Sequence, residues 1–140
     1  MVMFISDTHL PQLLPAKAYS DEGWYKQECE KVFHDAWWAI AFSVEFQNDG
    51  DFLTVDLPCG PVVLWQRDGV IRAFLNVCAH RLSRLTSKTK GCCDTLVCEY
   101  HGWEYAASGK TKRIPDAPSF RPLEKDGLGL RPLCVEVVGG

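Results

Sequence analysis

The residues able to do chemistry in this chain lie in one stretch, CAHRLSRLTSKTKGCCDTLVCEYHGW, residues 78–103. It opens on Cys78-x-His80, crosses a gap of 17 residues and closes on Cys98-x-x-His101. Thiolate and neutral imidazole are both ligands for borderline and soft transition metals. Two of each could build a tetrahedral structural zinc site. Finger-type zinc sites usually draw both cysteines from one knuckle and both histidines from another, whereas here each pair holds one Cys and one His. That mixed arrangement suits a two-iron, two-sulfur cluster with thiolates on one iron and imidazoles on the other. Neutral histidines in place of anionic thiolates make such a centre easier to reduce, at about −150 to +300 mV against about −400 mV for all-cysteine plant-type ferredoxins. With 7 Cys and 4 His in 140 residues, both pairs at this spacing arise by chance in roughly 0.002 of such chains.

Elements on either side must hold those pairs in place. Residues 1–19 carry Pro11 and Pro15 and little periodicity. Ser20 is expected to cap a helix, with Asp21 and Glu22 in its first turn, where negative charge suits the dipole. Tyr25, Cys29, Val32, Phe33 and Ala36 then recur on one helical face. His34 falls in this helix and reads as a surface or packing residue. From about residue 38 the pattern turns to strands: FLTVDL, PVVLWQ and VIRAFLN, then TLVC and WEYAA, and LRPLCVEVV as a last strand. Asp68-Gly69 between two such runs predicts a tight hairpin, and Ser108-Gly109 a turn. Cys78-x-His80 follows VIRAFLN and Cys98-x-x-His101 follows TLVC, so each pair is expected on a loop leaving a strand. The fold class is mainly β: a small antiparallel sandwich or barrel with a two-loop, cluster-binding subdomain and one N-terminal helix. Residues 1–37 form the N-terminal segment and helix, and 38–140 the cluster domain.

Bulk properties narrow the partners. The length suits one domain with its own core. A net charge of −3 gives no general reason to expect nucleic acid; the basic run Arg81, Arg84, Lys88 and Lys90 is local. No apolar run approaches the ~20 residues that span a bilayer, and MVMFISDTHLPQLLP, broken by Asp7 and His9, is a poor secretory signal. A cytoplasmic location is expected, where seven cysteines need not pair. Cys29, Cys59 and Cys134 read as small core residues.

The spacing C-x-H-x17-C-x-x-H-G-W resembles the Rieske [2Fe–2S] signature, and the sequence around it resembles ring-hydroxylating oxygenase α subunits over most of the chain. LPAKAYSDEGWYKQECEKVFHDAWW is similar to their N-terminal helix region, DFLTVDLPCGPVVLWQRDGVIRAFLNVCAHR to the strands leading into the first ligand loop, and IPDAPSF and LGLRPLCVEVVGG to the return toward a second, catalytic domain. The resemblance implies that Cys78 and Cys98 ligate one iron and His80 and His101 the other. Arg81, Tyr100 and Trp103 would surround them, with Tyr105 a further candidate for the apolar wall. Two positions depart from the family pattern: Leu82 stands where Gly is usual, and Glu99 where Pro is common. The cytochrome bc branch carries an extra Cys in each ligand loop. Here CAHRLSRL has none, nor does Cys98 to Trp103; Cys92 and Cys93 precede the second loop. The oxygenase type is therefore expected.

Oxygenases of this kind work at a mononuclear Fe(II) held by two histidines and a carboxylate. Beyond the cluster pairs only His9 and His34 remain, so that iron is expected in a catalytic domain outside this chain, and no catalytic residue is assigned here. The expected role is electron transfer from a reductase or ferredoxin to that iron, within a homo-oligomeric full-length oxidoreductase. A stand-alone Rieske ferredoxin and a structural zinc module are the alternatives.

Overall fold

Asp68 and Gly69 have φ of 55° and 71°, two positive values in succession that match a hairpin turn to the twist of its strands. They join β2 (Gly60–Arg67) to β3 (Val70–Leu75), in register from Arg67 opposite Val70 to Val62 opposite Leu75. β1 (Asp51–Leu57) pairs antiparallel with the other edge of β2. In this computed structural model, residues 14–58, 60–120 and 127–139 are described. They divide at Trp38/Ala39 into two compact units.

β2 runs through the middle of a five-stranded sheet ordered β4–β1–β2–β3–β8, where β4 is Lys90–Cys92 and β8 is Pro132–Leu133. Alternate β2 side chains enter different cores. Val63 and Trp65, with Phe52 and Phe74, face one cluster; Val62 and Leu64, with Phe46 and Ala73, face the other. A strand covered on both faces loses the polar alternation of a half-exposed one. That is why PVVLW reads as an unbroken apolar run. Each such side chain contributes about 1.5–3 kcal/mol by leaving water.

A second sheet of three short strands, β5 (Leu96–Val97), β6 (Glu104–Tyr105) and β7 (Thr111–Arg113), carries the other pair of candidate ligands. Its Leu96 and Tyr105 join Trp65 and Phe74 in one core, along with Cys78, Cys98 and Trp103. Gly109, at φ 80°, makes the turn before β7, and a Cβ there would strike the Phe74 ring. Only glycine meets both demands.

In the N-terminal unit, Asp21 rather than Ser20 caps the helix: its carboxylate accepts from Trp24 N at 2.8 Å. Ser20 instead closes the preceding short turn, its N–H donating to Lys17 O. α1 (Glu22–Glu28) widens into a π-helical stretch, Cys29–Phe33, so Ala36 lies beyond the helix. Phe33 meets Trp38 edge-on, and Trp38 Nε1 donates to Phe33 O. His34 is exposed and pairs with Asp35 at 2.8 Å. Cys134 is exposed, against expectation, since only Pro132–Leu133 of LRPLCVEVV finds a partner strand. His9 and Cys59 lie outside the described residues. No helix among the described residues is long and apolar enough to cross a membrane.

Candidate metal centre

β3 delivers the chain into the first ligand loop, and β5 delivers it into the second. Both loops close with the same pair of hydrogen bonds. In the first, Cys78 N donates to Ser83 O (2.8 Å) and Leu82 N to Cys78 O (3.0 Å). In the second, Cys98 N donates to Trp103 O (2.8 Å) and Gly102 N to Cys98 O (2.9 Å). The fourth residue after each cysteine is left-handed, Leu82 at φ 56° and Gly102 at φ 68°. Leu82 thus occupies a backbone position that favours glycine, at a cost of about 1–2 kcal/mol.

The two loops bring all four predicted residues together. Cys78 and Cys98 are each 1% exposed, deep among core residues, while His80 and His101 are half-buried, with ring centroids 4.8 Å apart. Thiols therefore lie inside and imidazoles toward the outside. His80 stacks on Trp103 at 4.8 Å, with planes within 3°, and meets Phe120 edge-on. Trp103 is 2% exposed. Tyr100 is exposed and lies against His101, with centroids 3.7 Å apart. It is a lid on one ring, not a buried wall. Arg81 is exposed beside His80.

Each thiol receives a hydroxyl from the opposite half of the site. Tyr105, on β6 after the second loop, lies 3.0 Å from Cys78 Sγ, and its oxygen accepts Ala79 N–H at 3.0 Å. That leaves the phenol's single hydrogen for the sulfur. Burial pushes the Tyr105 phenol up and the neighbouring thiol adds to this, so the phenol keeps its proton; toward a thiolate, which can only accept, it is the donor. Ser83, on the first loop, lies 3.8 Å from Cys98 Sγ.

The electrostatics are uneven. Burial raises the Cys78 thiol, against the lowering effect of Tyr105 and of the His80 N–H. Burial also acts upward on Cys98, but donation from the Tyr100 and His101 backbones carries the net shift downward. His80 is lowered by burial first, then by His101 and Arg81, which keeps its imidazole neutral and able to ligate.

His80 Nδ1 is buried with no hydrogen-bond partner among the described residues. A buried ring nitrogen ordinarily finds a partner. This one, beside a second imidazole and a pair of thiols, fits a metal. No three His, Cys, Asp or Glu among the described residues are placed to hold a single ion; the donors stand as two pairs. A family profile described as the Rieske [2Fe–2S] domain matches residues 36–126. The chain belongs to the Rieske [2Fe–2S] family. The cofactor of such a domain is a [2Fe–2S] cluster, and the donor set here suits it in kind and number.

Among relatives of this Rieske domain, the α subunit of biphenyl 2,3-dioxygenase from Rhodococcus jostii is 34% identical over 91% of this chain and 28% of its own length. The glycine betaine monooxygenase oxygenase subunit of Pseudomonas aeruginosa is 33% identical over 91% of this chain and 30% of its own. A solved naphthalene 1,2-dioxygenase with indole bound superposes with a TM-score of 0.75 and 32% identity, over 81% of this chain and 26% of that one. The chain thus spans less than a third of the length of each of these three relatives. Its homologues are subunits of Rieske oxygenases, which are oxidoreductases.

Tyr105, Ser83 and Phe120 escaped sequence reasoning as partners of the site, Tyr105 having been read only as wall. The Tyr two residues after Trp103 carries a usable signal, because a phenol buried in a small core must find a partner. Ser83 and Phe120 carry none. Of the inner cysteines, Cys92 is exposed on β4, while Cys93 packs against the core and accepts Trp65 Nε1–H at its carbonyl.

Proposed function

We propose that this chain is the electron-transfer part of a Rieske-type oxygenase. It receives electrons from a reductase or ferredoxin and delivers them to a mononuclear iron in a catalytic domain outside residues 1–140, on the same or a neighbouring subunit. In this reading residues 38–140 are the Rieske domain and 1–37 an N-terminal segment and helix. Cys78 and Cys98 hold one iron; His80 and His101 hold the other. The observation that carries the assignment is the orphaned Nδ1 of His80, buried where two imidazoles and two thiols converge.

When bound, the cluster supplies a one-electron site whose potential its histidine ligands raise. The chain's own residues do the rest. Trp103 and Phe120 fix the His80 ring by stacking and edge contact, holding its donor nitrogen in one orientation. Tyr105, Ser83 and the backbone N–H groups of His80, Tyr100 and His101 direct positive dipoles at the thiolates, which favours the added electron. The core around Cys78 and Cys98 keeps water from the thiolate side, while the half-buried imidazoles give the side on which a partner can approach. A cytoplasmic, homo-oligomeric parent protein accompanies this reading; seven thiols suit a reducing compartment.

The test is spectroscopic. The purified chain should hold two irons and two labile sulfides, show the visible absorption of a [2Fe–2S] centre, and take up one electron with an electron paramagnetic resonance signal. A ferredoxin donor should reduce it in stopped flow. A colourless zinc protein would end the reading; a cluster that no reductase or ferredoxin reduces would end the relay.

A further inference from the structure

The two ligand loops are tied together by an acid outside the donor set. Glu99 immediately follows Cys98. Its Oε1 accepts from Thr86 Oγ1 and its Oε2 from Ser87 Oγ, both at 2.8 Å, while Ser87 N donates toward both oxygens at 3.2 Å. Glu99 N in turn donates to Leu85 O at 3.1 Å. Leu85, Thr86 and Ser87 form the far end of the first ligand loop.

That far end is itself fixed. Asn76, 0% exposed, brackets the loop with its amide: Nδ2 donates to Thr86 O at 2.9 Å, and Oδ1 accepts Thr86 N–H at 3.1 Å. Leu85 N donates to Asn76 O. The entry and exit of the first loop are thus pinned at one point, and Glu99 fastens the second loop to it. An exposed glutamate carries its negative charge at neutral pH, and here that charge is held in one place by the hydroxyls of Thr86 and Ser87.

We propose that Glu99 is a positioning residue of the cluster site: it clasps the second ligand loop to the end of the first and stands as a fixed negative charge beside Cys98, holding the reduction potential down. This rests on Cys78, His80, Cys98 and His101 being the ligands. Reduction adds one electron to the centre, and a nearby anion disfavours any added negative charge. Glu99 is exposed, so water and salt screen the effect and it stays modest.

The measurement is the midpoint potential of the intact chain, with the rate at which a chelator strips its iron, for wild type, Glu99→Gln, Glu99→Asp and Thr86→Val. Glu99→Gln should favour reduction about threefold, roughly 28 mV upward at 59 mV per tenfold for one electron. That gap should narrow in 1 M salt. Glu99→Asp and Thr86→Val keep the charge and loosen the clasp; they should hold the wild-type potential and lose iron severalfold faster. A Glu99→Gln protein with a full cluster spectrum and the wild-type potential overturns the charge role. If Glu99→Gln does not fold, the other two variants decide: iron loss at the wild-type rate in both overturns the clasp. A wild-type chain without a [2Fe–2S] spectrum would instead sink the ligand assignment.

Discussion

The first ligand loop places its His two residues after its Cys, and the second places it three after. Yet the two share one backbone scheme, a bond from the cysteine N–H to the carbonyl five residues on and a return bond to the cysteine carbonyl from four residues on. They share the left-handed residue at that fourth position, and each thiol lies against one hydroxyl from the opposite half of the site, Tyr105 on β6 or Ser83 on the first loop. They differ in what fills the left-handed slot, Leu82 in one and Gly102 in the other, and in the hydroxyl, a buried phenol at 3.0 Å or a serine at 3.8 Å. The difference teaches that the hydrogen-bond scheme sets the loop shape and residue type sets only its cost.

Removing a donor from either loop should have the largest effect and show the loops to be equal partners. His80→Ala and Cys98→Ala should each abolish the [2Fe–2S] absorption, and because metal binding and loop folding are coupled, each should lower the melting temperature. A full cluster spectrum in either variant would break the equivalence.

The cross-ties should be unequal. Tyr105→Phe removes the shorter tie and strands the Ala79 N–H, at a cost of about 1–3 kcal/mol in denaturant unfolding. It should also lower the midpoint potential, since a donor to the thiolate is lost. Ser83→Ala should shift both in the same direction and by less. A larger effect from serine would reverse the ranking drawn from the distances.

Exchanging the left-handed residues sharpens the contrast further. Gly102→Ala should destabilise by about 1–2 kcal/mol, the price of a side chain at that φ. Leu82→Gly should relieve a similar strain, offset by the freedom glycine adds to the unfolded chain, for a net gain below about 1 kcal/mol. Thermal melts of the pair test whether strain sits in the first loop alone.

A site away from both loops supplies the baseline. The Asn48 backbone N–H chiefly holds the Asp51 carboxyl below its ordinary range. A lowered folded pKa gives stability that is present above the ordinary carboxylate range and lost as pH falls through the lowered value. Asp51→Asn should melt slightly below wild type at pH 7, and the gap should narrow as pH falls below the ordinary carboxylate range. The cluster potential at pH 7 should stay where it was.

The Asp68-Gly69 hairpin and the apolar run of β2 were legible because turn chemistry and burial on both faces leave marks in sequence. So was the placement of each Cys–His pair on a loop leaving a strand, since spacing records it. β4, reading only Lys-Gly-Cys, was not, because three residues carry no period and its strand character comes from lying opposite Asp51, Phe52 and Leu53. The last strand was read too long for the converse reason: apolar residues beyond Leu133 have the propensity but no partner. The helix start moved from Ser20 to Asp21, a choice between adjacent capping residues that only the carboxylate's reach to Trp24 decides. The Glu99 clasp was out of view because its partners, Thr86 and Ser87, lie a dozen residues away on another loop.

Cys78 and Cys98 belong to the same packed core as Trp65 and Phe74. On the proposed assignment, the iron they hold is also part of what fills the protein. Iron supply then governs lifetime as well as activity. A cell starved of iron would make this domain with two buried thiols and no metal between them, and the loosened interior would be open to proteases before any electron was needed.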